Sequence, residues 1–144
     1  MDFRELIERD GILVYKNKGD SMKPLIREGR DLVMIGQVTR KPRKYDIVLY
    51  KRDSGEYVLH RIMKICPDGY VMCGDNRWRK EYGITDEDIL GVMTSVIRSN
   101  REISMDAKAP RIYARAWCAL YPVRIGAKKG KQLAGRIIRK AFKR

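Results

Sequence analysis

Histidine is almost absent from this sequence: His60 is the only one among 144 residues. Imidazole is the side chain whose unperturbed pKa lies closest to neutral pH, so a histidine base in this chain can only be His60. Cysteine is also scarce. Cys66, Cys73 and Cys118 form no CxxC or CxxH spacing, which argues against a zinc site and a disulfide framework and favours a reducing compartment. The sequence implies no metal and no cofactor.

A long apolar run is also missing. No segment approaches the roughly 18 to 20 apolar residues that span a bilayer. Residues 1–10 carry mixed charge without the apolar stretch of a secretory signal. We therefore expect a cytoplasmic protein without an N-terminal membrane anchor.

Acidic residues are missing from the last part of the chain. Residues 107–144 contain 12 Lys and Arg and no Asp or Glu, whereas residues 1–106 contain 20 basic and 18 acidic residues. This change in charge predicts two units, a nearly neutral domain over residues 1–106 and a basic tail over residues 107–144.

Short strands dominate the first unit. Apolar runs alternate with turn residues and show no βαβ rhythm, which favours a mainly β, compact antiparallel domain. A helix over residues 2–9 precedes the strands, and residues 82–88 are expected to be irregular, with a short helix at 86–88. The predicted strands cover residues 12–15, 32–35, 46–50, 57–65, 69–73, 89–97 and 101–104.

The segment Gly19-Asp20-Ser21-Met22 combines turn residues with a serine. A serine in a tight turn exposes its hydroxyl and gathers backbone N–H groups, as an oxyanion hole requires. Asp20, Ser21 and Met22 are therefore the candidates for oxyanion and substrate binding. Serines in loops usually have no catalytic role, so the segment alone leaves both interpretations open.

His60 lies in the apolar run Val58-Leu59-His60-Arg61-Ile62. As a general base it would need the Ser21 hydroxyl on one ring nitrogen and a carboxylate on the other. Asp75 is the candidate carboxylate and Glu81 its rival. Both residues also have a non-catalytic interpretation. His60 would then be a buried histidine of a strand, and Asp75 would cap its own turn.

Five segments occur in an order that resembles the signal peptidase I family and its LexA-like relatives. The resemblance covers residues 12–97 and rests on segments 19–24 (GDSMKP), 43–50 (RKYDIVLY), 58–62 (VLHRI), 73–76 (CGDN) and 89–91 (ILG). Bacterial members carry lysine at the base position. The endoplasmic reticulum and archaeal branch carries histidine there, and this sequence looks like that branch.

The resemblance implies a serine endopeptidase that cleaves a precursor or leader peptide through an acyl-enzyme. By this resemblance Ser21 is the nucleophile, His60 the general base, and Asp75 or Glu81 the third member. Three positions depart from the family pattern: Glu81 stands where Asp is usual, Gly19 replaces a second hydroxyl found in many bacterial members, and Tyr45 replaces a glycine.

The basic tail favours a different class of function, in which an inactive β module binds a partner through residues 110–144. A helix is predicted from Pro110 and is expected to end at Pro122 and Gly126. A second helix over residues 131–143 has an apolar and a basic face. Docking to an anionic membrane surface fits these two faces. Nucleic acid is the weaker alternative because no recognised binding motif is present, and a merely solvated tail also fits.

Overall fold

The computed structural model describes residues 2–143 and contains eight strands and three helices. The helices are α1 (Phe3–Asp10), α2 (Lys108–Ala119) and α3 (Tyr121–Phe142). The strands are β1 (Ile12–Tyr15), β2 (Asp31–Gly36), β3 (Ile47–Lys51), β4 (Tyr57–Cys66), β5 (Gly69–Cys73), β6 (Glu81–Ile84), β7 (Ile89–Arg98) and β8 (Arg101–Ser104).

The strands form one antiparallel sheet in the order β1-β2-β7-β3-β4-β5-β6, and β8 pairs with β7. The central position of β4 is important for the site. In its register with β3, His60 lies opposite Val48, and in its register with β5, Arg61 lies opposite Cys73. The loop that follows Cys73 therefore starts beside His60.

Two apolar clusters support the sheet. One lies beneath α1 and contains Ile7, Met22 and Ile26, each almost completely buried. The other contains Tyr50, Ile62 and Met72. Because Met22 and Ile26 belong to the first cluster, burial of apolar surface holds the loop between β1 and β2 against the domain.

The prediction of a mainly β fold with antiparallel pairing is confirmed. Every predicted strand is present, with ends that differ by at most one residue. The prediction that residues 82–88 are irregular is wrong for residues 82–84. These residues belong to β6, which pairs with β5 through Tyr70 and Ile84. Glu81 and Gly83 give this segment a low strand propensity in the sequence. It forms a strand because β5 lies beside it and pairs with it.

The helices of the tail begin and end elsewhere than predicted. α2 ends at Ala119, and α3 runs without a break from Tyr121 to Phe142. Pro122 lies in the first turn of α3, where the missing N–H would have no helical partner and proline is tolerated. Gly126 lies inside the helix. Among residues 2–143, no helix is long and apolar enough to cross a membrane.

Candidate active site

The loop between β1 and β2, residues 16–30, carries Ser21 and is fixed on both sides of it. The side chains of Met22 and Ile26 are completely buried, and the Ile26 N–H donates to the Met22 carbonyl at 3.0 Å. The Asn76 N–H donates to the Ser21 carbonyl at 2.8 Å. Ser21 itself is half-buried, so the loop positions a partly accessible hydroxyl.

His60 is buried on β4, with 9% of its surface exposed. Its Nδ1 lies 3.3 Å from the Tyr50 hydroxyl oxygen, and that hydroxyl donates its proton to Glu81 Oε2 at 2.6 Å. A phenol has one proton to give, so the Tyr50 oxygen can only accept at Nδ1. Neutral His60 is thereby assigned the Nδ1–H tautomer, and Nε2 keeps its lone pair.

Gly74 lies where Ser21 and His60 approach each other. A Cβ at this position would lie 2.6 Å from the Ser21 carbonyl oxygen and 3.0 Å from His60 Nε2. The unprotonated nitrogen of His60 and the Ser21 carbonyl oxygen therefore both lie close to residue 74. Within residues 2–143, no hydrogen bond joins the Ser21 hydroxyl to His60. Catalytic hydrogen bonds are often longer before substrate binds.

Burial and neighbouring charges keep His60 neutral. Burial, with a smaller contribution from the Arg52 cation, lowers the pKa of His60 to about 4. Burial alone would raise the pKa of Glu81, but hydrogen bonds from Arg52 and Tyr50 outweigh it and lower that pKa. At neutral pH the site therefore holds a neutral imidazole and, behind Tyr50, an ionised carboxylate.

Asp75 is buried and has a different set of partners. Its carboxylate accepts two hydrogen bonds from Arg61, at 2.8 and 2.9 Å, and one from the Tyr113 hydroxyl at 2.9 Å. Within the described chain no hydrogen bond connects Asp75 to His60. The geometry thus connects His60 with the rival carboxylate, Glu81, through Tyr50. Tyr50 carries no catalytic motif in the sequence and stands out only as a tyrosine in an apolar strand.

The backbone of the Ser21 turn offers unused donors. Within residues 2–143, the N–H groups of Ser21 and Met22 donate to no protein acceptor. The Asp20 carboxylate instead pairs with Arg77 at 2.8 Å, and the Asp20 carbonyl accepts from the Asn76 side chain at 3.1 Å. Asp20 therefore braces the turn. The Ser21 N–H belongs to a partly exposed residue and is open to an oxygen of a ligand, whereas Met22 is completely buried and its N–H is not accessible.

Helices α2 and α3 contact the loop of residues 74–80, which we call the site loop. Trp117 Nε1 and Arg124 Nη1 both donate to the Asp75 carbonyl, at 2.8 and 2.6 Å. Tyr121 donates to the Trp78 carbonyl at 2.5 Å. The helix predicted from Pro110 includes both Trp117 and Tyr121, whereas the structure places them on α2 and α3. The sequence does not reveal what these aromatic residues contact. The tail is thus attached to the loop that carries Gly74.

The three cysteines are free thiols. Burial raises the pKa of Cys73 to about 11 and also raises that of Cys118. Because the thiolate is the reactive form, neither thiol competes with Ser21 as a nucleophile. Among the described residues, no cluster of His, Cys, Asp and Glu could hold a metal ion.

A comparison with known protein families finds no matching family, and a comparison with curated protein sequences finds no significant match. The basis for a function is therefore the geometry of the site itself.

Proposed function

We propose that this protein is a serine endopeptidase in which Ser21 is the nucleophile and His60 the general base. The observation that carries the proposal is the convergence at Gly74, where His60 Nε2 and the Ser21 backbone both approach one point. The tautomer set by Tyr50 gives Nε2 the free lone pair that a base requires.

The chemistry follows from these positions. The Ser21 Oγ attacks a peptide carbonyl while His60 Nε2 takes the hydroxyl proton. The backbone N–H of Ser21, which donates to no protein acceptor within residues 2–143, holds the oxyanion of the tetrahedral intermediate. His60 then gives the proton to the leaving amine, and water hydrolyses the acyl-enzyme by the same steps. Glu81, acting through Tyr50, orients the imidazole and is the third member that we favour over Asp75.

The type of catalytic domain and the class of substrate are part of the same proposal. The five segments that resemble signal peptidase I follow one another along the chain in the order of that family. The Ser21 loop, β4 and the site loop meet at Gly74. We infer a catalytic domain of the signal peptidase and LexA type. The substrate class is a precursor or leader peptide, and the resemblance implies small residues before the cleaved bond.

A fluorophosphonate probe tests the nucleophile. The probe forms a covalent bond with an activated serine, so the wild type should be labelled, and Ser21→Ala and His60→Ala should not. Ser54→Ala, at an exposed turn, is the matched control and should be labelled like the wild type. Equal labelling of all variants, or none in the wild type, would count against the enzyme.

Peptide cleavage provides the second measurement. A library of peptides from a digested proteome is incubated with wild type or Ser21→Ala, and new peptide ends are identified by mass spectrometry. We expect new ends with the wild type alone. The residues before the cut then define the specificity, and identical peptide sets from both proteins would contradict the proposal.

A second candidate function concerns α3, which would bind an anionic membrane surface. Val123, Leu133, Ile137 and Ile138 are all more than half exposed and lie on one side of the helix, and basic residues occupy the other side. This combination favours a helix lying in the interface of an anionic bilayer. We infer a peripheral enzyme at the inner face of the membrane, with nucleic acid as the weaker alternative.

A further inference from the structure

A cleft of about 560 Å³ separates α2 from the sheet. One wall is formed by Arg111, Ala114 and Arg115 of α2, and the other by the chain entering β3 and by residues 92–94 of β7. Leu25, from the loop that carries Ser21, also lines it. The cleft therefore adjoins the candidate active site but is a separate concavity.

The lining of this cleft is strongly cationic. Arg40 is paired with Asp46 at 2.8 Å, and Arg61 is paired with Asp75. Four further cations line the cleft, and none of them forms an ion pair with a carboxylate in residues 2–143: Arg43, Lys44, Arg111 and Arg115. Asp106 is the remaining acid of the lining. Like charges gathered in a concave wall attract an anion.

Tyr45 provides a second, independent observation at the same place. Its φ of 78° is in the left-handed region, which is strained for an aromatic residue. The surrounding chain holds it there, because Tyr45 N donates to Ile62 at 2.9 Å and its carbonyl accepts from Arg61 at 3.0 Å. Such strain is concentrated at ligand and catalytic sites. Both partners of Tyr45 are within two residues of His60.

We propose that the cleft binds an acidic segment of the peptide substrate. Guanidinium groups bind carboxylates through two parallel hydrogen bonds, and Arg111 and Arg115, one helical turn apart on α2, can each do so. An extended peptide can enter a cleft that has a wall on each side, whereas the surface of a flat bilayer cannot reach the residues at the base of the cleft. The term substrate rests on the proposed peptidase function; the binding of an acidic peptide does not.

Fluorescence anisotropy with a labelled hexaglutamate peptide tests this site. The protein is the full chain with Ser21→Ala, so that no peptide is cut. We expect the double variant Arg111→Gln/Arg115→Gln to bind roughly tenfold more weakly. Lys129→Gln/Arg136→Gln, on α3, removes the same charge away from the cleft and should bind like the parent. A hexaglutamine peptide should bind to none of them.

Several results would overturn the proposal. Equal losses in both double variants would show attraction by overall charge alone. Absence of hexaglutamate binding, together with anionic vesicle binding that the cleft variant alone loses, would assign the cleft to lipid headgroups. The probe separates this test from the proposed function: labelling that depends on Ser21 without peptide binding refutes only the cleft, and peptide binding without labelling refutes only the peptidase.

Discussion

A methyl group added at residue 74 would press against both residues of the candidate dyad. Gly74→Ala would place its Cβ 2.6 Å from the backbone oxygen of Ser21 and 3.0 Å from His60 Nε2. Since a backbone atom cannot move aside cheaply, we expect the rate of probe labelling to fall at least roughly tenfold and stability to fall by about 1 to 3 kcal/mol.

Gly126→Ala is the matched control for that change. Gly126 lies inside α3, and no atom outside the helix backbone lies within 4 Å of the added Cβ. Alanine favours a helix interior by about 1 kcal/mol over glycine, so this variant should be labelled normally and be no less stable. Normal labelling of Gly74→Ala would contradict the convergence at residue 74.

The low pKa of His60 makes stability depend on pH. The folded protein has a pKa of about 4 at His60 against about 6.5 when unfolded. Between these values the unfolded chain binds more protons, so the free energy of unfolding falls as pH falls. We expect His60 to contribute a loss of about 2 kcal/mol between pH 7 and pH 5. Urea unfolding at both pH values measures it.

His60→Asn removes this contribution and is the comparison that isolates it. Its amide can still donate toward Tyr50, so the local hydrogen bond is retained. The loss of stability from pH 7 to pH 5 should be smaller in the variant by about 2 kcal/mol. An identical pH dependence in both proteins would mean that the folded imidazole titrates near its ordinary pKa.

The two candidate carboxylates should respond differently to removal of their charge. Glu81→Gln weakens the support behind Tyr50 and should lower the labelling rate by roughly tenfold or more with a small change in stability. Asp75→Asn leaves Arg61 buried without its anion and should cost about 3 to 5 kcal/mol of stability. The labelling rate and urea unfolding distinguish the two. The opposite pattern would restore Asp75 as the third member.

At the scale of elements, the sequence predicted the strands well but left most of their pairings open. The run around His60 reads as a strand because its residues are apolar and β-branched. Nothing in it reveals that β7 lies between β2 and β3, since that order is set by packing between distant segments. The sequence does not predict β6 for the same reason, since this strand depends on its pairing with β5. The prediction that a helix ends at Pro122 is wrong, because proline also suits the first turn of a helix, where the structure places it.

The apolar face of α3 yields a prediction for that element. Leu133→Gln/Ile137→Gln should reduce flotation with anionic vesicles roughly tenfold or more, because both side chains are 60% exposed and would enter the interface. Ile65→Gln, at an exposed apolar residue of β4, is the matched control. Undiminished flotation of the double variant, or equal flotation with uncharged vesicles, would contradict membrane docking.

At the scale of the whole molecule, the charge of the chain changes at residue 107. Hydrogen bonds nevertheless join the parts of the chain on the two sides of this boundary. The sequence predicted the candidate residues Ser21 and His60, because their motifs are local. It did not predict that the tail holds the site loop, because hydrogen bonds from Trp117 and Arg124 to a backbone carbonyl leave no pattern in the sequence. The buried Arg61–Asp75 pair likewise needs Tyr113 from α2 to complete its hydrogen bonds.

Removal of the tail therefore tests whether it is an appendage. A chain of residues 1–106 loses the hydrogen bond of Tyr113 to Asp75 and the buried side chains of Ala114 and Tyr121. We expect its free energy of unfolding in urea to fall by roughly 3 to 6 kcal/mol. A chain of residues 1–128 keeps these contacts and should match the intact protein, although it lacks most of α3. Equal stability of the two shortened chains would mean that α2 is not part of the folded core, and the site loop would then be held by the sheet alone.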